Sequence, residues 1–279
     1  MGSRSFERLV WGYVVLAYLF IFSPLVTTVA FSFNEDRFAS LPWRGFTLEW
    51  YRQLFTSSAL MEALVHSVLV GLAVGVTAAT LGFLGAYGLH RLIGGRGSGV
   101  VSLVLLSPLA VPWLLLGLGL LIFLNALGVP RSLVSVWIGH SVFAIPLAIL
   151  VVQSRLQTLP PRLEEAALDL GASRFQALRY VVLPLALPGV AAAFLLSFTL
   201  SFDEFIMAWF LTGFDVTLPV QIWTMVRSGI NPTINAVGAL VFVLSITLTV
   251  VAQRLITARR DSAWRRPSDV PPLSLAGRQ

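Results

Sequence analysis

Residues 160–184 read PPRLEEAALDLGASRFQALRYVVLP and lie between two long apolar runs. Pro160 and Pro161 end the first run and suit the start of a new helix, because proline is tolerated in a first helical turn. Beyond them, apolar residues recur at spacings of three and four, which predicts a short amphipathic helix outside the membrane. Its apolar face carries Leu163, Ala166, Ala167 and Leu170, and its polar face carries Arg162, Glu165 and Asp169.

The same stretch also predicts how this helix ends and how the next one begins. Gly171 stands where a left-handed residue closes a helix. Ser173 followed by Gln176 is typical of a capping box, which opens a second helix. The apolar face of that helix would carry Phe175, Leu178 and Val182. Two helices joined by a tight turn are therefore expected to protrude from the bilayer.

The composition places the rest of the chain in a membrane. Hydrophobic residues make up 57% of the 279 residues and charged residues 11%, with a mean hydropathy of +0.84. So few charges do not cover the surface of a soluble fold. Uncharged runs long enough to span a bilayer predict six transmembrane helices in an all-α polytopic membrane protein. The runs are 9–33, 63–90, 97–130, 132–154, 180–202 and 228–253.

Two details of these runs affect the prediction. Ala30-Phe31-Ser32 resembles a signal-peptide cleavage site, but the apolar run before it is too long for a signal peptide, so we expect the first helix to remain. Prolines interrupt runs three to five, and each fits either a simple kink or a break lined by water or other helices. These prolines are Pro108, Pro112, Pro146, Pro184 and Pro188.

Arginine is distributed unequally between the two sides of the membrane. With six spans, 14 of the 19 arginines lie on the side of the termini and of residues 155–180, and five lie on the other side. Including the acidic residues, the net charges are +8 and −2. Basic loops remain cytoplasmic, so both termini are expected inside the cell. The basic character then reflects topology and contact with anionic lipids rather than nucleic-acid binding.

The residue inventory excludes several kinds of chemistry. All basic residues other than histidine are arginine, so the chain has no phosphate-binding or Schiff-base lysine. Any ATP chemistry must come from another chain. Cysteine is also absent, which excludes disulfides, thiolate nucleophiles and cysteine-bound metals.

The spacing in the quoted stretch resembles a known family signature. Glu165-Ala166-Ala167 is followed after three residues by Gly171, after nine more by Val181, and after one more by Leu183-Pro184. This resembles the EAA loop of ABC-importer permeases, and only valine in place of isoleucine departs from it. Further segments resemble the C-type permease subunit of spermidine/putrescine importers. They are 31–34, 45–48 with 50–51, 164–174, 196–199, and 218–219 with 222–223.

The resemblance implies a fold, a location and a set of partners. It implies a type I ABC-importer transmembrane domain in the bacterial inner membrane, which pairs as a heterodimer with a second, homologous permease. Two copies of an ABC ATPase and an extracytoplasmic solute-binding protein would complete the importer. No cofactor is implied in this chain, since ATP and magnesium would bind to the ATPase. Polyamines are the first expected substrate, with opines and amino acids as alternatives.

The resemblance also assigns roles to individual residues. The coupling helix that docks on the ATPase would include Glu164, Glu165, Ala166, Ala167, Gly171 and Ala172. Small alanine side chains would permit close docking, and the acids would make charged contacts at the rim. Motion of this helix would tilt the attached spans, which is a rigid-body coupling between two states.

The segment 203–233 on the outer side predicts a re-entrant or interfacial pair of short elements, because its apolar stretches 205–214 and 216–226 are too short to span. A polyamine path requires acids and aromatic faces. Asp203 and Glu204 fit this need, or are a simple pair of helix-end charges. Phe202, Trp209 and Trp223 fit it too, or belong to an interfacial aromatic belt.

The predicted organisation is a cytoplasmic N-terminus over 1–8, a six-span permease domain over 9–256 and a disordered cytoplasmic tail over 257–279. A different class, an intramembrane Ser/His hydrolase, requires Ser197 or Ser201 within hydrogen-bond reach of His140. A scaffold or receptor without an ATPase partner is a third class. His66, His90 and His140 are scattered without metal-ligand spacing, so no metal site is expected.

Overall fold

A computed structural model describes the backbone of residues 2–37, 41–89, 96–160, 162–229 and 231–263; side chains are described over the same ranges except 2–5, 96–98, 248–249 and 251–263. Within this part the regular secondary structure is helical, apart from one isolated β-bridge between Asn34 and Phe46. The helices are α1 Gly2–Phe31, α2 Glu49–Thr56, α3 Ser58–Tyr87, α4 Arg96–Leu106, α5 Trp113–Ala126, α6 Leu133–Leu156, α7 Arg162–Asp169, α8 Arg174–Ala177, α9 Leu183–Asp203, α10 Ile206–Leu211, α11 Leu218–Ser228 and α12 Thr233–Ala263.

Four stretches of the described residues are helices that are long and apolar enough to cross a membrane. They correspond to predicted spans one, two, four and five, and are Phe6–Phe31, Ser58–Tyr87, Leu133–Leu156 and Arg174–Asp203. The sixth predicted span lies in α12, whose Thr233–Thr247 is a shorter apolar helix. The backbone of α12 continues to Ala263, so residues 257–263 of the predicted tail are helical. Residues 264–279 lie outside the described part of the chain.

The third predicted span differs from the expectation of one run, because it is bent by 100° between Gly99–Ala110 and Trp113–Ala126. Val111 is extended at φ −90° and ψ 127°. The ring of Pro112 disfavours helical geometry at the residue before it, and Pro112 has no N–H to continue the ladder. Counting this bent pair as one span gives five, so the number six is not reproduced directly.

The core lies where α3, α6 and α9 pack against one another, with α5 and α10 covering one side. Glycines of α3 allow the close approach: a Cβ at Gly75 would lie 2.9 Å from the ring of Phe194 in α9, and one at Gly71 would lie 3.0 Å from Phe198. Gly71 and Gly75, spaced four apart on one face of α3, thus both contact α9, an arrangement common where membrane helices pack closely. A second cluster joins α2, α9, α11 and α12 at the outer end.

Gly82 lies where α3 packs closely against α6, and a valine at this position should destabilise the protein. A Cβ at this position would lie 2.5 Å from the Cβ of Ala148 and 3.0 Å from its backbone carbon. We expect Gly82→Val to lower the free energy of unfolding by about 1–3 kcal/mol through overpacking. Thermal unfolding in detergent measures the loss. Gly119→Ala is the control, since a Cβ there meets nothing within 4 Å, and an equal fall in both variants would contradict the packing argument.

Candidate functional site

The turn after α7 is closed by the backbone of residues 167–172. Gly171 has φ +88°, and its N–H donates to the carbonyl of Leu168 at 2.9 Å, while the N–H of Ala172 donates to Ala167 at 3.0 Å. These two bonds form a Schellman motif, which satisfies carbonyls left open at the helix end. The predicted left-handed position of Gly171 is confirmed.

The start of α8 has the predicted capping box. The Ser173 hydroxyl accepts from the backbone N–H of Gln176 at 3.3 Å, and the Gln176 side chain accepts from the backbone N–H of Ser173 at 2.8 Å. A π-helical turn, Leu178–Val182, joins α8 to α9. Of the predicted apolar face, Val182 is buried but Phe175 is exposed.

Glu164 in the first turn of α7 is tied to the membrane-spanning core. Its Oε1 accepts a hydrogen bond of 2.6 Å from the hydroxyl of Tyr87, the last residue of α3. A hydrogen bond to a charged group is worth about 1.5–3 kcal/mol. Glu165, one residue on, is exposed. The two acids thus differ in role, because Glu164 anchors α7 to α3 and Glu165 faces outward.

The apolar face predicted for α7 is exposed over much of its surface. Leu170 is 89% exposed and Leu163 44%, and Phe175 beyond the turn is 67% exposed. Ala166 is exposed and Ala167 is half-buried. Exposed apolar residues close together along the chain, with acids among them, are typical of a protein-docking surface. We call Leu163, Ala166, Leu170 and Phe175 the docking face.

The two acids at the outer end of α9 lie in different environments. Asp203 is exposed and accepts from the hydroxyl of Ser245 in α12 at 3.5 Å. Glu204 is only 5% exposed. Its carboxylate accepts from the backbone N–H of Met207 at 2.9 and 3.0 Å and from that of Ala208 at 3.1 Å. Glu204 therefore caps the first turn of α10.

His140 of α6 completes this buried cluster. Its Nε2 lies 3.2 Å from Oε2 of Glu204, and its Nδ1 lies 2.8 Å from the hydroxyl of Ser201. The sequence argument considered His140 only as a metal ligand or a hydrolase base and missed this contact with Glu204. The signal available in the sequence was the presence of ionisable and hydroxyl residues inside apolar helices, which are rare and paired.

The predicted aromatic residues are divided between the core and the outer surface. Phe202 is buried and stacks on Phe198 with ring centroids 6.0 Å apart. Trp209 and Trp223 are partly exposed and lie on either side of Phe205, at 6.0 and 5.5 Å between centroids. This brings two of the three predicted aromatics into one cluster. Phe202 and Glu204 contact protein groups instead of open space in this conformation, and the role of all five in substrate passage stays a prediction.

A cavity of about 310 Å³ adjoins Trp209 between α5, α10 and α11. Its lining is mixed, with the aromatic rings of Trp209 and Phe210, the hydroxyls of Thr212 and Thr224, and Arg131. This cavity volume lies at the lower end of the range for small-molecule pockets. Trp209 is thus the predicted path residue that borders an open volume.

The serine–histidine–acid arrangement meets the distance that a hydrolase would require, because Ser201 contacts His140. However, Ser201, His140 and Glu204 are all buried, and the cavity beside them measures about 10 Å³. That is about the space of one water molecule, so a substrate carbonyl does not fit next to Ser201. The carboxylate of Glu204 is engaged by two backbone amides. The arrangement fits a structural contact between helices better than a catalytic triad.

Comparisons with known proteins find relatives that are described as components of transport systems. A family model described as "Binding-protein-dependent transport system inner membrane component" matches residues 71–262. The spermidine/putrescine transport system permease protein PotC of Haemophilus influenzae is 37% identical over 260 residues, 93% of this chain and 99% of that protein. The putrescine transport system permease protein PotI of Escherichia coli K12 is 33% identical over 250 residues, covering 86% and 89% of the two chains.

The fold also has solved counterparts. A chain from the crystal structure of a bacterial ABC transporter involved in the import of the acidic polysaccharide alginate superposes with a TM-score of 0.69. The alignment covers 91% of this chain and 96% of that chain at 18% identity. At this identity the likeness establishes the arrangement of helices and leaves the substrate open.

Proposed function

Because this chain belongs to the binding-protein-dependent transport system inner membrane components, and is a permease subunit of a type I ABC importer, we propose that it carries polyamines. It would form half of the pathway for spermidine or putrescine, small cationic solutes. The relatives PotC and PotI, named for these solutes, support this substrate class over nearly the full chain.

The docking face carries the proposal that the chain couples to an ATPase. The exposed apolar residues Leu170 and Phe175 flank the turn between α7 and α8, and Tyr87 fixes α7 to the core through Glu164. A partner domain that covers this patch would move α7 together with the ends of α3 and α9 as one body. ATP hydrolysis, with its magnesium ion, belongs to two copies of that partner, and this chain is not an enzyme.

The solute would pass near the outer ends of α9 and α10. Asp203 offers an exposed carboxylate, and Trp209 and Trp223 offer aromatic faces around Phe205. Carboxylates and aromatic faces are the groups that bind a desolvated amine. A binding protein would deliver the solute at this side, and both termini lie in the cytoplasm.

The surface of α1 supports a second permease and lipid as its neighbours. In the stretch Phe6–Phe31, none of the 18-residue apolar window is buried against the described part of the chain. It contacts α12, where Gly238 approaches Thr28. Such an apolar helix requires lipid or another membrane protein around it. A homologous permease on one part of the exposed surface of α1, and bilayer lipid on the rest, would cover its apolar side chains.

Reconstitution tests the proposed function. The chain, its partner permease, the ATPase and the binding protein are placed in vesicles, and uptake of labelled spermidine and putrescine is measured with ATP and with a non-hydrolysable analogue. We expect accumulation with ATP alone, competed by either polyamine and not by amino acids or opines. Accumulation of an amino acid or opine with no polyamine uptake would replace the substrate, and vesicles that accumulate no solute would remove the transport proposal.

A further inference from the structure

We propose that His140 is a positioning residue that holds α10, and with it Trp209, at the outer mouth of the pathway by pairing with the buried carboxylate of Glu204. We call the contact between these two side chains the His140–Glu204 latch. The inference concerns the seating of α10 and does not depend on which solute is carried.

A six-residue helix such as α10 is not stable by itself, because helix nucleation is unfavourable. The Glu204 carboxylate replaces the missing partners of its first turn by accepting from Met207 and Ala208. The same carboxylate contacts His140 on α6. One side chain thus joins the end of α9, the start of α10 and the middle of α6.

The burial of this carboxylate makes its neighbours important, and His140 adds to the two backbone amides that already donate to Glu204. The side chains of His140 and Glu204 are 2% and 3% exposed, so water does not solvate the charge. An unpaired buried charge is strongly unfavourable, and breaking such a pair by removing one partner is more damaging than removing both charges. Ser201 contacts the ring at Nδ1 over 2.8 Å, and Nε2 lies 3.2 Å from the carboxylate, close enough for an electrostatic contact but without hydrogen-bond geometry.

The rest of α10 shows why its position matters. Met207, Ala208 and Leu211 are buried. A Cβ at Gly117 of α5 would lie 3.1 Å from Met207, and one at Gly139 of α6 would collide with Leu211. Trp209 lines the cavity together with Phe210, and its ring lies 6.0 Å from that of Phe205. Displacing α10 would therefore move Trp209 away from the aromatic cluster.

The absence of cysteine from the sequence allows a direct test by thiol labelling. Ala208→Cys places a single thiol at a position that is 0% exposed, and Phe214→Cys places one at a fully exposed position as the control. Full-length chains are expressed with their transport partners, and membranes are labelled with the permeable reagent N-ethylmaleimide. Labelling rates at both positions are then compared between His140 variants.

We expect His140→Leu to raise the labelling rate at Cys-substituted Ala208 about tenfold, because α10 opens locally without the latch. Adding Glu204→Gln should return the labelling rate to within about threefold of the parent, since the effects of substituting the two partners of one contact are not additive. His140→Gln, which keeps a donor, should also stay within that range. The rate at Phe214→Cys should not change.

Other outcomes decide against the latch. An unchanged rate in His140→Leu, or a double variant that is labelled as fast as His140→Leu, would show that His140 only fills space. If His140→Leu does not accumulate in the membrane, recovery of accumulation by Glu204→Gln supports the pairing. Failure of the double variant to accumulate as well overturns it.

Discussion

Replacing Gly171 with valine should abolish most ATP-driven uptake while the chain still accumulates in the membrane. Gly171 has φ +88°, where an L-residue costs about 1–2 kcal/mol and a β-branched one more. The substituted turn should lose its Schellman bonds and change the direction of α7 relative to α8. Because the docking face lies on both sides of this turn, we expect uptake to fall about tenfold or more, the change that 1.4 kcal/mol produces.

Gly128, in the connection between α5 and α6, provides a matched control. It has φ +74°, and, as at Gly171, an added Cβ would meet nothing within 4 Å. Gly128→Val therefore has a similar backbone cost at a position far along the chain from the docking face. Uptake of spermidine in vesicles and co-purification of the ATPase are measured for both variants.

The two variants separate coupling from stability. We expect Gly171→Val to lose uptake and ATPase retention, and Gly128→Val to keep most of both. Equal loss in the two variants would mean that backbone strain lowers stability in general, and the docking role of α7 would be wrong. Full uptake in Gly171→Val would be a second contradiction, since the turn would then be irrelevant to coupling.

The loop between α6 and α9 was predictable because its structure depends on neighbours in sequence. The left-handed Gly171 and the Ser173–Gln176 box each involve residues at most five positions apart, and both are confirmed. The six-span count was less reliable. The extended Val111 shows that one of several prolines breaks its span, whereas Pro146 and Pro188 remain inside helices, and packing rather than local sequence separates these cases.

The outer site was harder to predict because its contacts join distant parts of the chain. His140 and Ser201 are 61 positions apart, and no local spacing relates them. The sequence treats Asp203 and Glu204 as an equivalent pair. The structure separates them, because α9 ends at Asp203. The carboxylate of Glu204 caps the start of α10, which follows it in the chain, whereas Asp203 is exposed and contacts Ser245. Burial of this kind follows from tertiary packing.

Neutralising the exposed acid tests the solute path, and we expect Asp203→Asn to lower polyamine uptake about tenfold, the loss of roughly one charge-assisted contact. Asparagine keeps an oxygen that accepts from Ser245, so the packing of α9 on α12 should persist. The two side chains at position 203 then differ mainly in charge. Initial uptake rates at several spermidine concentrations in vesicles measure the effect, with assembly checked by co-purification.

Asp215→Asn is the control, because Asp215 is another exposed acid of the same outer segment. Its neutralisation changes the net charge of the outer side equally, so a nonspecific field effect would lower uptake in both variants. A direct role in passage predicts loss in Asp203→Asn alone. Stimulation of the ATPase by loaded binding protein distinguishes passage from delivery. If Asp203→Asn loses this stimulation in parallel with uptake, Asp203 belongs to the surface that receives the binding protein; if stimulation persists while uptake falls, the carboxylate acts on the solute after its release.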